Sequence, residues 1–588
     1  MPSDEYLINF FVNYMVKFPH DILIQIVELL TIDHITDFLV YLPPFRDILV
    51  QYYYSNEIQF VIQGYATYVT SCPLSTYQYL TSSHGIDIFQ FLAEFPDIIP
   101  KRLVIHDETG DFSDVKAIMN MYIDRIRQIE EISVRFWRED ATTEDFRYLL
   151  SFNNLTQIEI SRAVVAPKLI NNLEFSQHPK LNEVAIRVHG IDEWSRVQFP
   201  PGLKSLNLSS NPKFDIATLT IPPNLEKIKF HDLNITNFKF LPNKLCSNLT
   251  TLILTFNNLP TLPLDDLPCG LRTLDISRNK IASIVGSKWP QDLEVLSLQG
   301  NKLDDSALFD TDWPPKLVNL NLSYNKIIRI GALSNLPNTL EFLDMSHNPI
   351  VWQHTDRNFE FPKNLFNLEL KQCGLNLNCI RFPVSLKKLT LGYNKISDIC
   401  AYRYWTELVK LHTLKLSANL ISSLNNWIIP PNLSQLDLNI NPISALTNEC
   451  PIFQDKYNFN LFELNLERCK ISRIQVDYIP PSLKRVIISL NREFLQFIFP
   501  NCFKQLHHLD LSDNLISSFS FADGSADGKS QLRRLDLTGN EILGDKEISG
   551  LGVVKLHHFY HDLEANLGKV KERKLNVNSL HEFDNWNN

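Results

Sequence analysis

No run in this sequence stays apolar for the eighteen or so residues that a membrane-crossing helix requires. The first residues, Met1-Pro2-Ser3-Asp4-Glu5, lack the basic start of a secretion signal. Positive charge is also short. With 56 Lys and Arg against 66 Asp and Glu, the formal net charge is -10, which argues against general affinity for nucleic acid or an anionic membrane. The nine cysteines (Cys72, Cys246, Cys269, Cys373, Cys379, Cys400, Cys450, Cys469 and Cys502) are scattered without metal-ligand or framework spacing, and an odd count without a signal reads as reduced thiols. Together these shortages point to a soluble protein in the cytoplasm or nucleus.

Reactive constellations are missing as well. There is no G-x-S-x-G, no H-E-x-x-H and no paired C-x-x-C. Gly524 to Ser530 approaches a phosphate loop, but its first glycine stands one residue too close to Gly528-Lys529-Ser530 and no helix pattern follows. Asp523, Asp527 and Gly528 have the start of a calcium loop, yet its twelfth position is Arg534 where a bidentate glutamate is needed. His557, His558 and His561 could set two imidazoles on one helix face, with no third ligand in view. The expectation is a protein that is not an enzyme and carries no cofactor and no metal.

What the sequence has in abundance is one frame, L-x-x-L-x-L-x-x-N. A clear copy is Leu317-Val318-Asn319-Leu320-Asn321-Leu322-Ser323-Tyr324-Asn325, and copies begin at Leu155, Leu181, Leu203, Leu225, Leu249, Leu271, Leu293, Leu317, Leu340, Leu365, Leu386, Leu411, Leu433, Leu461, Leu483, Leu506 and Leu532. From Leu181 onward the steps run from 21 to 28 residues, most often 22. Positions 1, 4 and 6 alternate with polar residues, as the two-residue period of a short strand requires. One such strand cannot cover its own apolar side, so copies must stack. Seventeen of them at roughly 4.8 Å each make a ribbon on the order of 80 Å long.

Position 9 is Asn in most copies, where an amide can both donate to and accept from loop backbone; Cys373, Cys469 and Leu233 replace it in three. Ten copies have proline three residues before the first leucine (Pro200, Pro222, Pro268, Pro290, Pro314, Pro337, Pro362, Pro383, Pro430 and Pro480), each preceded by a bulky apolar residue. An X-Pro pair favours extended backbone, so the return side of these repeats should be extended with the bulky residue turned inward. A helix is expected at Ala401 to Val409, where the step lengthens to 25.

On this frame the chain resembles the leucine-rich repeat family over roughly 150 to 545. The resemblance implies an α/β solenoid, a horseshoe with one long curved parallel sheet. Looser spacing from residue 57 to 190 suggests degenerate repeats with strands at Glu57 to Ile62, Arg102 to His106, Glu131 to Phe136, Leu155 to Ile160 and Leu181 to Val188. Helices are expected at Asp87 to Phe95, Ser113 to Gln128 and Thr143 to Phe152. The expected layout is a helical segment at 1–56, degenerate repeats at 57–190, regular repeats at 191–545, and a helical cap and tail at 546–588.

Residues 1–56 depart from the repeat. Ile22, Ile26, Leu29 and Leu30 fall on one side of a helix whose first turn suits Pro19. Ile35, Phe38, Leu39 and Leu42 mark a second, and Phe45 to Tyr53 a third. This three-helix stretch resembles an F-box, loosely L-P-x-E-I-L-x-x-I-x-x-x-L, a gap, D-L and V-C-x-x-W. Phe18-Pro19 stands at L-P, Asp21 at the acidic position, Ile22-Leu23 at I-L, then Ile26 and Leu30. His34 replaces the aspartate before Ile35, Tyr41-Leu42 replace V-C, and Phe45 takes the tryptophan position. The resemblance implies docking on a Skp-type adaptor of a cullin-RING ubiquitin ligase through these residues and Phe38, the chain serving as a substrate receptor. A plain cap over the first repeat, in a scaffold or regulatory subunit of a phosphatase or signalling complex, is the other reading.

In either case a target protein should meet the hollow of the arc, where positions 3, 5 and 7 project. Candidates are an early basic patch, Lys227, Lys229 and His231; a late acidic one, Asp437, Glu463 and Glu467; then Arg485, His508 and Arg534. Aromatic residues at position 8, Phe256, Tyr324 and Tyr393, could anchor a partner.

Overall fold

The structure, a computed structural model, describes strands at 57–63 and 66–70, most of 99–540, and strands at 548–549 and 558–560. The F-box-like residues Phe18 to Phe45, the expected helix at 87–95 and the loop at 524–530 lie outside the described residues. Contacts divide the chain into two compact units. One holds the described residues up to Leu259 with those of Asp266–Leu271, and the other those of Pro260–Asp265 and from Arg272 on.

In the first unit the expected early strands form: β1 (Glu57–Gln63), β3 (Arg102–Asp107), β4 (Glu131–Trp137), β5 (Leu155–Ser161) and β6 (Glu183–Arg187). They continue into β7 (Ser205–Ser209), β8 (Lys227–His231) and β9 (Thr251–Ile253), each parallel to the one before. The helix expected at Ser113 to Gln128 is two, Phe112–Met121 and Ile123–Ile126, separated at Tyr122. The next is shorter than expected, at Thr143–Leu149. A strand the frame gave no reason to expect, β2 (Ala66–Thr70), returns antiparallel along β1.

The second unit is a parallel ladder of three-residue strands. It runs through β10 (Thr273–Asp275), β11 (Val295–Ser297), β12 (Asn319–Asn321), β13 (Phe342–Asp344), β14 (Asn367–Glu369), β15 (Lys388–Thr390), β16 (Thr413–Lys415) and β17 (Gln435–Asp437). Register holds position to position: Asn319 meets Phe342, and Leu320 meets Leu343. Frame leucines at positions 1, 4 and 6 are sealed; Leu317, Leu320 and Leu322 have no exposed surface. Past β18 (Ala445–Thr447) the ladder goes on through β19 (Glu463–Asn465), β21 (Arg485–Ile487), β23 (His508–Asp510), β25 (Arg534–Asp536) and β27 (His558–Tyr560). His558 therefore stands on a strand rather than on the helix expected for the C-terminal cap.

The return side is extended, as the X-Pro pairs suggest. Late repeats add short parallel strands there, β18 with β20 (Arg473–Gln475), and β22 (Gln496–Phe499) with β24 (Ser518–Phe521). Residues before the prolines, including Trp289, Trp313, Phe361, Phe382, Ile429 and Ile479, are buried. In nine of the ten copies the amide of the first leucine donates to the carbonyl of that proline, as Leu317 N–H does to Pro314 O at 3.1 Å. The proline thus opens the tight turn that delivers the chain into each strand.

The helix expected at Ala401 to Val409 is absent. Two single-turn 3-10 segments, Ile399–Ala401 and Trp405–Glu407, stand in its place. Tyr402, Trp405 and Leu408 are buried there at a strict three-residue interval, the period of 3-10 turns, in which residues i and i+3 eclipse, rather than the 3.6 of an α-helix.

Candidate protein-binding face

The loop edge of each strand is fixed by the position 9 asparagine. Asn394 is buried; its Nδ2 donates to Leu370 O at 2.7 Å and to Leu391 O at 2.9 Å, while Oδ1 accepts from Cys373 N at 2.8 Å and Leu375 N at 3.1 Å. One amide thereby ties its own strand to the repeat before it, and Asn301, Asn325, Asn348, Asn419 and Asn441 do the same. Cys373 reproduces half of this: its thiol reaches Met345 O at 3.2 Å, but it gives nothing back as an acceptor. The amide of Ile350, which an asparagine at 373 would receive, turns to Asn348 O in its own loop at 2.9 Å. Burial pushes the Cys373 thiol up to about 12 and that of Cys469 to about 11, so both stay protonated donors.

Before each of these residues the backbone does something the sequence did not announce. In all fifteen copies from Leu203 to Leu532, position 8 has φ between 51° and 70°, the left-handed region, yet only Gly300 and Gly539 are glycine. Its amide keeps a ladder bond to position 7 of the next repeat, as Tyr324 N–H does to Ser346 O at 2.8 Å, and then the chain swings out. For a residue with a Cβ this conformation costs about 1–2 kcal/mol. Phe256, Tyr324, Tyr393 and the β-branched Ile440 carry that strain while 53%, 42%, 56% and 40% exposed.

In the second unit, position 8 side chains form a row. The Arg278 guanidinium lies over the Tyr324 ring at 5.1 Å, and Tyr324 stacks on His347 at 3.9 Å and 11°. Arg278 reaches across one repeat because Gly300 stands between; a Cβ there would come within 2.8 Å of the arginine Cδ. Burial, the leading cause, lowers the His347 pKa, so the stacked imidazole is neutral at pH 7.

On the outward strand face, positions 3 and 5 are half-exposed to exposed in most repeats, with Ala185 and Thr390 buried. Several position 5 carboxylates are occupied locally. Asp437 Oδ1 accepts from Asn439 N at 3.1 Å, and Asp344, Asp510 and Asp536 do likewise with position 7. Burial raises the pKa of Asp437 and Asp344. Glu467 lies 3.6 Å from Arg468. The late acidic and basic candidates abut: Asp437 and Glu463 stand on β17 and β19, and Glu463 pairs in register with Arg485 on β21, whose guanidinium is 3.7 Å away. Arg485, His508 and Arg534 then stand side by side on β21, β23 and β25. Burial and the flanking arginines push the His508 pKa down to about 4, and its shielded Nε2 makes no hydrogen bond.

The early basic residues differ. Lys227, Lys229 and His231 share the outward side of β8, and neither lysine has an acidic partner within 4 Å among the described residues. His231 Nδ1 is 2.7 Å from Thr255 Oγ1, and its ring lies 5.0 Å from that of Phe256. Among the described residues no cluster of three metal-ligating side chains is present, and no helix is long and apolar enough to cross a membrane.

Comparison with known proteins agrees with this geometry. The family model for leucine-rich repeats (two copies) matches residues 315–354. Rabbit (Oryctolagus cuniculus) lumican is 32% identical over 177 residues, which are 29% of this chain and 88% of that protein. This chain is a leucine-rich repeat protein. The repeat protein also aligns with mouse (Mus musculus) podocan at 25% identity over 472 residues, 78% of this chain and 66% of podocan, so it spans just under two thirds of that relative. Among solved structures it is similar to YopM from Yersinia enterocolitica WA-314, with 20% identity, TM-score 0.38, and 79% and 83% of the two chains covered.

Proposed function

We propose that this leucine-rich repeat protein is a non-enzymatic scaffold that holds another protein against the outward strand face and its position 8 edge. The observation that carries this reading is the row of exposed Tyr324, Tyr393 and Ile440, kept in a strained backbone conformation along one edge of the second unit. Single exposed apolar residues are ordinary. Large ones retained where glycine would relieve strain are not, and strain of this kind gathers at binding sites. The polar, locally satisfied positions 3, 5 and 7 beside them make the rim that such anchors require.

A second reading adds a role for the N-terminus. The F-box-like pattern from Phe18-Pro19 to Leu30 would dock a Skp-type adaptor, and the bound protein would then be presented to a cullin-RING ligase that performs the chemistry. The six described cysteines are thiols, Cys269 and Cys400 exposed, which suits a reducing compartment, cytoplasm or nucleus.

The test is site-resolved photo-crosslinking in cells, with a benzophenone amino acid at Tyr324 or Tyr393 and, as return-side controls, at Phe309 or Val351, which are also exposed. Discrete protein adducts from the first pair, absent from the second, are the expected result. Adducts from neither position of the first pair overturn the reading. Binding of purified Skp-type adaptor to the full chain decides the second.

A further inference from the structure

The described basic residues on the outward face are mostly neutralised within the protein. Glu159 lies between Arg135 and Arg187 at 3.7 and 3.3 Å, Glu463 meets Arg485, Asp536 lies 4.0 Å from Arg534, and Lys415 pairs in register with Asp437. β8 departs from this pattern. Its outward residues are Lys227, Lys229 and His231, and their register neighbours are all uncharged: Ser205, Asn207 and Ser209 on β7, Thr251 and Ile253 on β9. Glu226, the acid before Lys227, is engaged by Lys204 Nζ at 3.1 Å, and Asp232, after His231, sits in the left-handed turn as the chain leaves the sheet. In a chain of net charge -10, this is an uncompensated basic strand on a neutral surround.

We infer that β8 is the docking point for an acidic, extended segment of the partner protein, with carboxylates at alternate residues and an apolar residue after them. This rests on the protein-binding reading above and specifies its chemistry for the first unit. Charge complementarity selects the sign: two lysines on one side of a strand repel each other until an anion lies between them. Spacing selects the form. Alternate residues of a strand are about 6.4–6.8 Å apart, and the same interval separates alternate side chains of an extended peptide lying along it. Lys227 and Lys229 then take successive carboxylates as point charges. His231 is held in place by Thr255, and Phe256, 53% exposed beside it, receives the apolar residue at the strand's end.

The experiment uses the full chain and a fluorescein-labelled peptide, Glu-Ser-Glu-Ser-Glu-Leu-Leu, beside twins with Gln or phosphoserine at the Glu positions, read by fluorescence anisotropy. The Glu peptide should bind about tenfold more tightly than the Gln twin, and weaken severalfold from about 50 to about 200 mM salt. Lys227→Gln with Lys229→Gln should abolish that preference. Lys302→Gln, at an exposed lysine of the second unit, should leave it intact, and Phe256→Ala should weaken both peptides equally. Circular dichroism confirms that each variant folds. Equal affinity for the Glu and Gln peptides, or a preference that survives the double substitution, overturns the inference; so does binding of the phosphoserine twin alone. If crosslinks at Tyr324 and Tyr393 persist while the peptide fails, only this inference falls.

Discussion

Asn394→Ala is expected to lower the free energy of unfolding by about 4 kcal/mol, several times the effect of an ordinary surface change. The buried side chain makes its four shortest bonds to the carbonyls of Leu370 and Leu391 and the amides of Cys373 and Leu375, with a longer fifth to Gly392 O at 3.2 Å. Alanine leaves all four without that partner. Each buried polar group so stranded costs about 1–3 kcal/mol, part of which entering water returns. Cys373→Ala removes a single weak donor and should cost about 1 kcal/mol or less through that bond. The two substitutions together separate the asparagine's hydrogen bonds from general burial at position 9. Urea unfolding followed by circular dichroism gives the stabilities, and hydrogen exchange at Cys373 and Leu375 should accelerate in Asn394→Ala before global unfolding does. A loss under 1 kcal/mol for Asn394→Ala would show that neighbouring repeats hold the turn without it.

Trp405→Ala is expected to cost about 4 kcal/mol for a different reason. Trp405 is 1% exposed and packs edge-on against Tyr402 at 4.8 Å and Trp427 at 6.0 Å, with Phe382 at 6.5 Å. Its indole N–H donates to Ile399 O at 3.0 Å, and the amide of Phe382 donates to the Tyr402 hydroxyl at 3.0 Å. Desolvation in this cluster drives the Tyr402 phenol well above its usual range, so it stays protonated. Trp405→Phe keeps most of the apolar volume and loses the indole donor, so it should cost about 1–2 kcal/mol, within the range of one stranded buried carbonyl. If Trp405→Ala and Trp405→Phe unfold at the same urea concentration, packing on the return side is not what stabilises this repeat.

Much of the fold was legible because the frame states burial directly. Leu317, Leu320 and Leu322 are sealed as the alternation requires, and the Asn at position 9 bonds as an amide with both donor and acceptor should. The bulky residue before each proline told where the return side closes. Three features were hidden for physical reasons. The left-handed position 8 carries no signal when its usual marker, glycine, is present in only two of fifteen copies. The 25-residue step from Leu386 to Leu411 is compatible with a helix or with two tight turns, and only the inward packing of Tyr402, Trp405 and Leu408 decides between them. Charge pairing across strands depends on register, so the contact between Glu463 and Arg485, where the acidic strands meet the basic ones, is visible only once the strands are aligned. The same alignment is what distinguishes Lys227 and Lys229, whose neighbours in register turn out neutral.

Under the proposed function, exposed anchors at position 8 are kept at the expense of backbone strain for a partner to use. Tyr393→Gly tests this most directly, since φ at Tyr393 is 60° and its ring is 56% exposed. The variant is read twice, once by urea unfolding and once by the yield of protein adducts from a crosslinker at Tyr324. The account predicts opposite signs, with stability rising by about 1 kcal/mol as the strain is released and adduct yield falling severalfold. A Tyr393→Gly protein that is more stable and captures as much partner as the wild type would contradict it.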